Sequence, residues 1–598
     1  MVWGRLSSRP TALEVDVGFI RPALPEVDPA AWPQTPRLAR IRLLAPFWVD
    51  HGFGTQRVVH LAYLVKCLLY AGGAVAVASL TTPGLGGIGR VAHWWTEPIF
   101  FQKAVVFSLL FEVLGLGCGS GPLTLRIVPP IGGALYWLRP RTVRLPPFPS
   151  RVPFTRGTSR TVADVVLYAG VLAAAVWVLL SPGSGADGVI APQRLIPLLV
   201  LVPALGLRDK TVFLAARSEH YLLTAALFLF PAGQMLAGAQ LVMLLLWWGA
   251  ATSKLNQHFP YVVSIMVSNA PLHGSTWLRR KLYRRYPNDL QPSRLSRFLA
   301  RGGTTIEYLV PLVLVLSPNR TLVVAAVVVM VAFHLHILST FPMGVPMEWN
   351  VFMIFSTVFL FGAHGDLGPA QVTSPAMVVL LLVAAGVVAA GNLFPAKVSF
   401  LMSMRYYAGN WATSLWCFRR PAQDRLDTGI TKIAPAVRTQ LGVMYSDADA
   451  DLILNLGNAW RAMHHHGRAL NGLLPRALDD LDAYEIVEGE TVAGVVLGWN
   501  FGDGHLHDEQ LLGAIQERCG FAEGELRVVM LESQPIHRPS QHYRIVDAAT
   551  GMVEAGYVRV ADMTRLQPWL DDDGTIPVSA SPARSPASPA PPTVLGEA

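Results

Sequence analysis

The sequence predicts an all-α polytopic membrane bundle of eight to ten spans, followed by a C-terminal soluble α+β domain. Apolar residues make up 52% of the 598 residues and charged residues only 15%, against about 25% charged in a soluble domain. The mean hydropathy is +0.39. Long apolar runs stop before residue 395, and charged residues become common from about residue 419. This composition excludes a disordered chain, a coiled coil and an ordinary soluble enzyme.

Residues 1–56 carry Arg, Asp, Glu and Pro without an apolar segment, so we expect a cytoplasmic arm and not a signal peptide. The transmembrane domain is predicted over residues 57–418. A full span needs about 20 residues, so the short runs 195–207 and 305–317 are either re-entrant or tilted, which leaves eight to ten spans. The apolar runs cover 58–80, 99–119, 161–181, 195–207, 219–237, 238–253, 305–317, 321–340, 348–366 and 375–394.

Two basic loops set the expected orientation. Residues 121–160 contain seven arginines and no acidic residue, and residues 255–304 contain eight Arg or Lys against Asp289 alone. By the positive-inside rule both loops face the cytoplasm, and with ten spans both termini do so as well. The basic excess is thereby assigned to cytoplasmic loops, so it does not indicate nucleic acid as a partner. We expect a protein of the plasma membrane whose partner is the lipid bilayer.

A soluble α+β domain is predicted over residues 419–570. Helices are expected over 446–482 and 508–518, strands over 484–502 and 525–532, and a β-hairpin from His542–Val546 and Gly556–Ala561. Residues 571–598 are rich in Ser, Pro and Ala and are expected to be disordered. Four scattered cysteines form neither a disulfide framework nor a paired-cysteine zinc site.

Ionisable residues in apolar runs cost roughly 2.5–3.5 kcal/mol each at a helix centre on insertion scales, so they are the first candidates for function. His220, Lys254, Glu307 and His334 lie in or beside such runs. Each also has a purely structural interpretation. His220 fits an interfacial histidine and His334 a bundle-facing one. Lys254 fits a snorkelling helix cap, and Glu307 fits a charge that favours a helix N-terminus.

The C-terminal domain offers histidines as candidate metal ligands. In an extended segment His505 and His507 would share one face, and imidazole with carboxylate suits zinc or iron. The adjacent His464, His465 and His466 diverge by about 100° each on a helix and cannot all bind one ion. A solvated polar surface explains these residues better, so we predict no metal site and retain His505 and His507 as the candidates to inspect.

Four short motifs carry a resemblance to a known family. They occur, in the order typical of that family, at Glu219–Leu222, Gly249–Leu255, Glu307–Pro311, and Phe333-His334 followed by Phe341–Gly344. Residues 160–395 thereby resemble the membrane core of the vitamin K-dependent γ-carboxylase and its bacterial horizontally transferred transmembrane (HTTM) relatives. The resemblance implies that Lys254 is a buried base that deprotonates a membrane hydroquinone, and that His220 assists at a carbanion.

The whole chain also resembles an uncharacterised actinobacterial family of multi-span transmembrane proteins, defined only as a domain of unknown function. The stretches Asp50–Gly54, Gly115–Gly119, Arg405–Trp411 and Gly498–His505 carry this likeness. It implies no particular activity.

Two classes of function remain open. One is a carboxylase-like membrane enzyme that uses Lys254 on a lipid, quinone or protein substrate. The alternative is a non-enzymatic transporter of lipids or small molecules, or a membrane scaffold with a cytoplasmic interaction domain. A transporter often shows inverted repeats, which the sequence does not display. The enzyme hypothesis requires His220, Lys254, Glu307 and His334 to converge.

Overall fold

The computed structural model describes residues 18–121, 132–185, 188–271, 275–340, 347–570 and 574–581. Six helices in it are long and apolar enough to cross a membrane. In two of them, Arg57–Thr81 and Pro375–Leu393, only 22% of the most apolar window is buried, so most of each apolar surface faces outward and requires lipid rather than water. The six are α2 (Arg57–Thr81), α6 (Val162–Leu179), α10 (Ala232–Ser253), α13 (Arg294–Leu316), α14 (Arg320–Ser339) and α16 (Pro375–Leu393).

Shorter helices complete this half of the molecule. Two segments form a π-helical turn, Ser218–Leu222 and Val358–Ala363. The shorter helices are α1 (Arg37–His51), α3 (Val91–Trp94), α4 (Pro98–Val113), α5 (Gly132–Trp137), α7 (Pro192–Arg208), α8 (Lys210–Ala215), α9 (Leu223–Leu227), α11 (Phe259–Ser268), α12 (Thr276–Lys281) and α15 (Met347–Thr357). A hairpin of β1 (Tyr283–Arg285) and β2 (Asp289–Pro292) precedes α13.

Local sequence fixes where these helices begin. Thr161 and Asp164 form a capping box at the start of α6, in which each side chain accepts from the other's backbone N–H. Pro231 directly precedes α10 and has no N–H to donate, so it suits a helix start. The boundary predicted between the runs 219–237 and 238–253 is therefore wrong, because the chain breaks before Ala232.

Consecutive long segments pack antiparallel. At one end, Lys103 near the start of α4 donates to the Thr81 carbonyl at the end of α2 over 3.0 Å, and Arg320 at the start of α14 donates to the Phe361 carbonyl near the end of Met347–Ala363 over 3.1 Å. The starts of α10 and α16 lie at this same end, where the Ser374 backbone N–H donates to Gln234 over 3.0 Å. At the other end, the segments meet the C-terminal domain, where Ile536 donates to the Asn392 carbonyl over 3.1 Å. The membrane half thus has one face free of the C-terminal domain and one face covered by it.

The C-terminal domain is built on a six-stranded antiparallel sheet of order β4-β3-β5-β6-β7-β8. Its strands are β3 (Thr413–Arg419), β4 (Tyr484–Glu488), β5 (Leu526–Leu531), β6 (Ser540–Asp547), β7 (Gly551–Arg559) and β8 (Ser579–Ser581). Its helices are α17 (Gln423–Gly429), α18 (Val437–Gly442), α19 (Asp447–Met463), α20 (His465–Ala477), α21 (Gly489–Leu497), α22 (Glu509–Cys519) and α23 (Val560–Met563).

Several sequence predictions for this domain need correction. The strand expected over 484–502 ends at Glu488, and α21 follows, because Val492, Val495 and Val496 recur at helical spacing and are all buried. The sheet begins at Thr413, ahead of the boundary expected at residues 418/419. Residues 574–581, expected to be disordered, are ordered: Ile576 packs into the core and β8 pairs with β7. Residues 582–598 lie outside the described chain.

The two halves share one hydrophobic core. Trp137 donates to the Leu497 carbonyl over 2.9 Å, and Trp499 donates to the Cys118 carbonyl over 2.7 Å. One continuous cluster of buried side chains extends from Tyr70 in α2 to Val546 in β6. The C-terminal domain is therefore a packed part of the protein and not a tethered module.

Candidate functional site

Lys254 and Glu307 form a buried ion pair between α10 and α13. Lys254 is the residue after α10, and its Nζ lies 2.6 Å from both Oε1 and Oε2 of Glu307. The residues are only 8% and 4% exposed, and the ring of Phe259 covers the ammonium group at 5.1 Å. Lys254 is therefore no snorkelling lysine, since its charge is satisfied inside the protein.

Neighbouring contacts fix this geometry. Trp248 Nε1 donates to the Tyr308 carbonyl over 3.1 Å, and Thr252 Oγ1 lies 2.7 Å from the Tyr308 hydroxyl. Because Tyr308 follows Glu307 directly, these bonds hold the carboxylate against Lys254. α13 begins at Arg294, so the apolar run expected from residue 305 is the second half of a longer helix. Glu307 therefore lies in mid-helix and is not a charge at a helix N-terminus.

His334 has both ring nitrogens occupied. Trp247 Nε1 donates to His334 Nε2 over 3.0 Å, and His334 Nδ1 lies 2.9 Å from Asn350 Oδ1. Because Nε2 accepts a hydrogen bond, the ring is neutral and carries its proton on Nδ1. His334 thus links α10, α14 and α15 as a fixed, neutral group.

His220 lies in the π-helical turn and is 1% exposed. Trp349 Nε1 donates to His220 Nδ1 over 3.0 Å, which leaves the proton of a neutral ring on Nε2. The ring stacks on Tyr221 at 4.8 Å between centroids. His220 is a core residue of the bundle and not an interfacial histidine.

The convergence that the enzyme hypothesis requires is formed only in part, because the four predicted residues fall into two groups. Lys254 and Glu307 contact each other directly, whereas His220 and His334 bind the consecutive residues Trp349 and Asn350 of α15. Trp247, which donates to His334, lies on α10 about two helical turns before Lys254. Among the described residues no hydrogen bond joins the ion pair to either histidine, so any functional link between the groups runs along α10 and α15.

A buried polar cluster beside His220 was not predicted from the sequence. Arg217 Nε donates to Glu219 Oε1 over 2.7 Å, and Tyr406 donates to the same oxygen over 2.8 Å. The Arg217 guanidinium also lies 5.2–5.4 Å from the centroids of three aromatic rings; these are Trp349, Tyr406 and Phe501. Arg217 precedes the apolar run that was expected from residue 219, so hydropathy alone gave no reason to examine it.

His505 and His507 have separate partners. His505 lies in a 3₁₀ turn, with Nε2 3.1 Å from Glu532 Oε2, whereas His507 Nδ1 lies 2.6 Å from Ser414 Oγ. The extended geometry that would give both rings one face is therefore not formed. Within the described ranges, no group of three or more His, Cys, Asp or Glu side chains is arranged to hold a metal ion.

The His505–Glu532 pair predicts a pH dependence of stability. Burial opposes the charge on His505, but the carboxylate of Glu532 outweighs it and raises the pKa from 6.5 to about 9. Burial likewise opposes the charge on Glu532, but His505 lowers its pKa from 4.5 to about 2. The pair stabilises the fold fully between pH 4.5 and pH 6.5, the ordinary pKa values of the two groups in the unfolded chain. As the pH rises from 6.5 to 9 and His505 loses its proton, we expect the free energy of unfolding to fall by up to about 3 kcal/mol.

Thermal unfolding of the full chain in nanodiscs at several pH values between 6 and 9 measures this loss. Glu532→Gln should flatten the pH dependence, whereas Glu523→Gln, at an exposed position, should leave it intact. An equal decline in the wild type and in Glu532→Gln would show that another group is responsible.

Comparison with known proteins identifies one match. Residues 17–581 match a family model described as "Transmembrane protein of unknown function (DUF3556)". No curated protein and no solved structure matches the chain. The match confirms the predicted likeness to an uncharacterised family of transmembrane proteins.

Proposed function

The chain belongs to the DUF3556 family of transmembrane proteins of unknown function, and we propose that it is a carboxylase-like membrane enzyme acting on a lipid, quinone or protein substrate. In this proposal Lys254 is the base and Glu307 its proton partner. The observation that carries the proposal is the buried contact of Lys254 Nζ with both carboxylate oxygens of Glu307, each at 2.6 Å. A buried ion pair is often no more stable than an apolar pair of the same size, so stability alone is a weak reason to keep it.

The pair offers both forms of an acid–base catalyst. Transfer of one proton from Lys254 Nζ to a carboxylate oxygen of Glu307 leaves a neutral amine and a carboxylic acid. Burial favours such neutral forms over separated charges. The free amine of Lys254 can then accept a proton from a substrate, and Glu307 can return its proton to the product.

A membrane hydroquinone fits the donor set of this site. An ammonium group has three N–H donors and Glu307 takes two of them, so one N–H of Lys254 remains to meet a hydroxyl oxygen. When bound, a hydroquinone supplies an acidic hydroxyl group. Lys254 and Glu307 would take and hold its proton, and the ring of Phe259, beside Nζ, would help to exclude water.

We assign His220 and His334 different parts in this proposal. His334 has no free nitrogen, so it serves as a positioning residue that fixes α10, and with it Lys254, against α15. His220 carries its proton on Nε2, as a donor for a group of the reacting substrate. The resemblance to the γ-carboxylase and HTTM core supports this assignment.

A ten-crossing topology in the plasma membrane, with both termini in the cytoplasm, completes the proposal. The six long helices supply six crossings. The remaining four would be α4, α7, the broken segment Lys210–Leu227 and Met347–Ala363. The antiparallel packing of consecutive segments and the two arginine-rich loops on the face of the C-terminal domain support this count.

Single cysteines in a cysteine-free background test the topology. A membrane-impermeant maleimide added to intact cells should label Ser184→Cys and Ala370→Cys, which occupy exposed connections on the free face. Ser275→Cys and Ser446→Cys, exposed on the covered face, should react only after lysis. Labelling of all four in intact cells, or of none, would contradict the assignment.

The enzyme proposal is tested by the lipid that the protein retains. Protein purified in mild detergent is extracted, and bound lipids and quinones are quantified by mass spectrometry. We expect one lipid or quinone species, retained at about one molecule per chain, to fall at least tenfold in Lys254→Met. Lys397→Met is the matched control, because that lysine is exposed. If every retained species is unchanged in Lys254→Met, the support for a substrate site there is removed and a scaffold is favoured.

A further inference from the structure

A cleft of about 450 Å³ lies between three parts of the chain, and Lys254 is not among its lining residues. The arm helix α1 and the start of α2 form one side, with Arg37 and Val59. Helix α19 and the segment β4–α21 form the other side, with Trp460 and Val492. Cavities of roughly 300–1,000 Å³ are the usual size of small-molecule sites. Because Val59 lies in the first turn of a membrane-crossing helix, the cleft extends to the level where the membrane surface is expected.

The charged groups of the cleft are unequally neutralised. Asp451 accepts from Trp32 Nε1 over 2.8 Å and from Arg438 over 3.0 Å. Glu488 accepts from Arg461 over 2.6 Å. Asp451 and Glu488 therefore each already have an arginine as counter-ion.

Arg37, which lines this cleft, has no carboxylate within ion-pair distance among the described residues. Its Nε donates to Asn471 Oδ1 over 3.0 Å and its Nη2 to Asn458 Oδ1 over 3.2 Å. Burial lowers its pKa to about 10, against the opposing influence of Cys417 and Glu488, so the group stays charged at neutral pH. A guanidinium held by two amides retains N–H donors for an anion.

One wall of the cleft is apolar. Side chains from α17, α18, α19 and α21 line it with aliphatic groups; these are Leu426, Val437, Leu441, Leu454, Val492 and Val495. Gly457 of α19 also lines the cleft, and a Cβ built there would meet no atom within 4 Å. The cleft thus combines a guanidinium group that lacks a carboxylate partner with a hydrophobic wall.

We propose that this cleft binds a single-chain anionic amphiphile, with its headgroup on Arg37 and its hydrocarbon chain along the aliphatic wall. The anionic headgroup matches the guanidinium that lacks a carboxylate, and the chain matches the apolar lining. The position beside the start of α2 gives such a ligand a route from the membrane surface. This site is separate from the proposed chemistry at Lys254 and stands if that chemistry is absent.

Native mass spectrometry of the full chain, released from a maltoside detergent, tests the proposal with three probes: palmitate, lysophosphatidylglycerol and lysophosphatidylcholine. We expect one bound molecule of an anionic probe per chain and at least tenfold less of the zwitterionic one. Palmitate binding identifies a free fatty acid as the ligand class, and lysophosphatidylglycerol binding identifies a phospholipid headgroup.

Two variants locate the binding. Arg37→Gln should reduce anionic adducts at least tenfold, and Gly457→Phe should fill the cleft and abolish them. Gly457→Ala places only a methyl group in open space and is the matched control that should bind as the wild type does. Retained binding in both Arg37→Gln and Gly457→Phe would overturn the proposal, as would equal binding of the zwitterionic probe. Unchanged thermal unfolding of the variants confirms that they fold.

Discussion

Lys254→Met is expected to lower the free energy of unfolding by about 3–5 kcal/mol, because it leaves the carboxylate of Glu307 buried without its counter-ion. Glu307 is 4% exposed, and the two hydrogen bonds from Lys254 are the only ones described for its carboxylate. Equilibrium unfolding by SDS in mixed micelles, followed by tryptophan fluorescence, measures the loss. Any activity of the protein should disappear in the same variant.

The double variant Lys254→Met/Glu307→Leu separates pairing from packing. Replacing both charges by apolar groups removes the uncompensated charge, so most of the lost stability should return. Lys397→Met, at an exposed position, should change stability by less than about 0.5 kcal/mol. If the double variant loses as much stability as Lys254→Met and Glu307→Leu lose in sum, Lys254 and Glu307 do not act as a pair.

Arg461→Met should destabilise the C-terminal domain by a similar amount, about 3–5 kcal/mol. Arg461 is 1% exposed and donates to Glu488 over 2.6 Å, to Glu490 over 3.1 Å and to His466 over 2.8 Å. These partners lie on β4, α21 and α20, so one side chain on α19 holds three other elements. Its loss leaves two carboxylates without their cation.

An exposed arginine provides the comparison. Arg476 pairs with Glu554 over 2.8 Å, but its side chain is 39% exposed, so Arg476→Met should cost only about 0–1 kcal/mol. Thermal unfolding of both variants in nanodiscs gives the contrast. Equal shifts for Arg461→Met and Arg476→Met would mean that burial does not decide the contribution of these ion pairs.

The membrane helices could be predicted from the sequence where most of the helix surface faces lipid, because such helices are apolar along their whole length. The runs expected at 58–80 and 375–394 correspond to α2 (Arg57–Thr81) and α16 (Pro375–Leu393), whose apolar faces point outward. The first half of α13, Arg294–Thr304, was missed because it carries arginines and is amphipathic rather than apolar. The π-helical turn at Ser218–Leu222 has no hydropathy signal at all.

The hydrogen-bond partners of the candidate residues could not be predicted from the sequence. His220 meets Trp349 across 129 residues, and His334 meets Trp247 across 87. No pattern within one chain specifies such pairs, because helix packing creates them. The cost of burying charge singled out Lys254 and Glu307 individually, whereas their direct contact across 53 residues depends on how α10 and α13 pack.

The central claim is that Lys254 and Glu307 form a buried acid–base pair that meets a substrate within the membrane half of the protein. A high-resolution cryo-EM map of natively purified protein tests this most directly. The account predicts Nζ of Lys254 within hydrogen-bond distance of both Glu307 oxygens, beside density for a lipid or quinone that disappears in Lys254→Met. A lysine ammonium in bulk water, apart from Glu307, would contradict it.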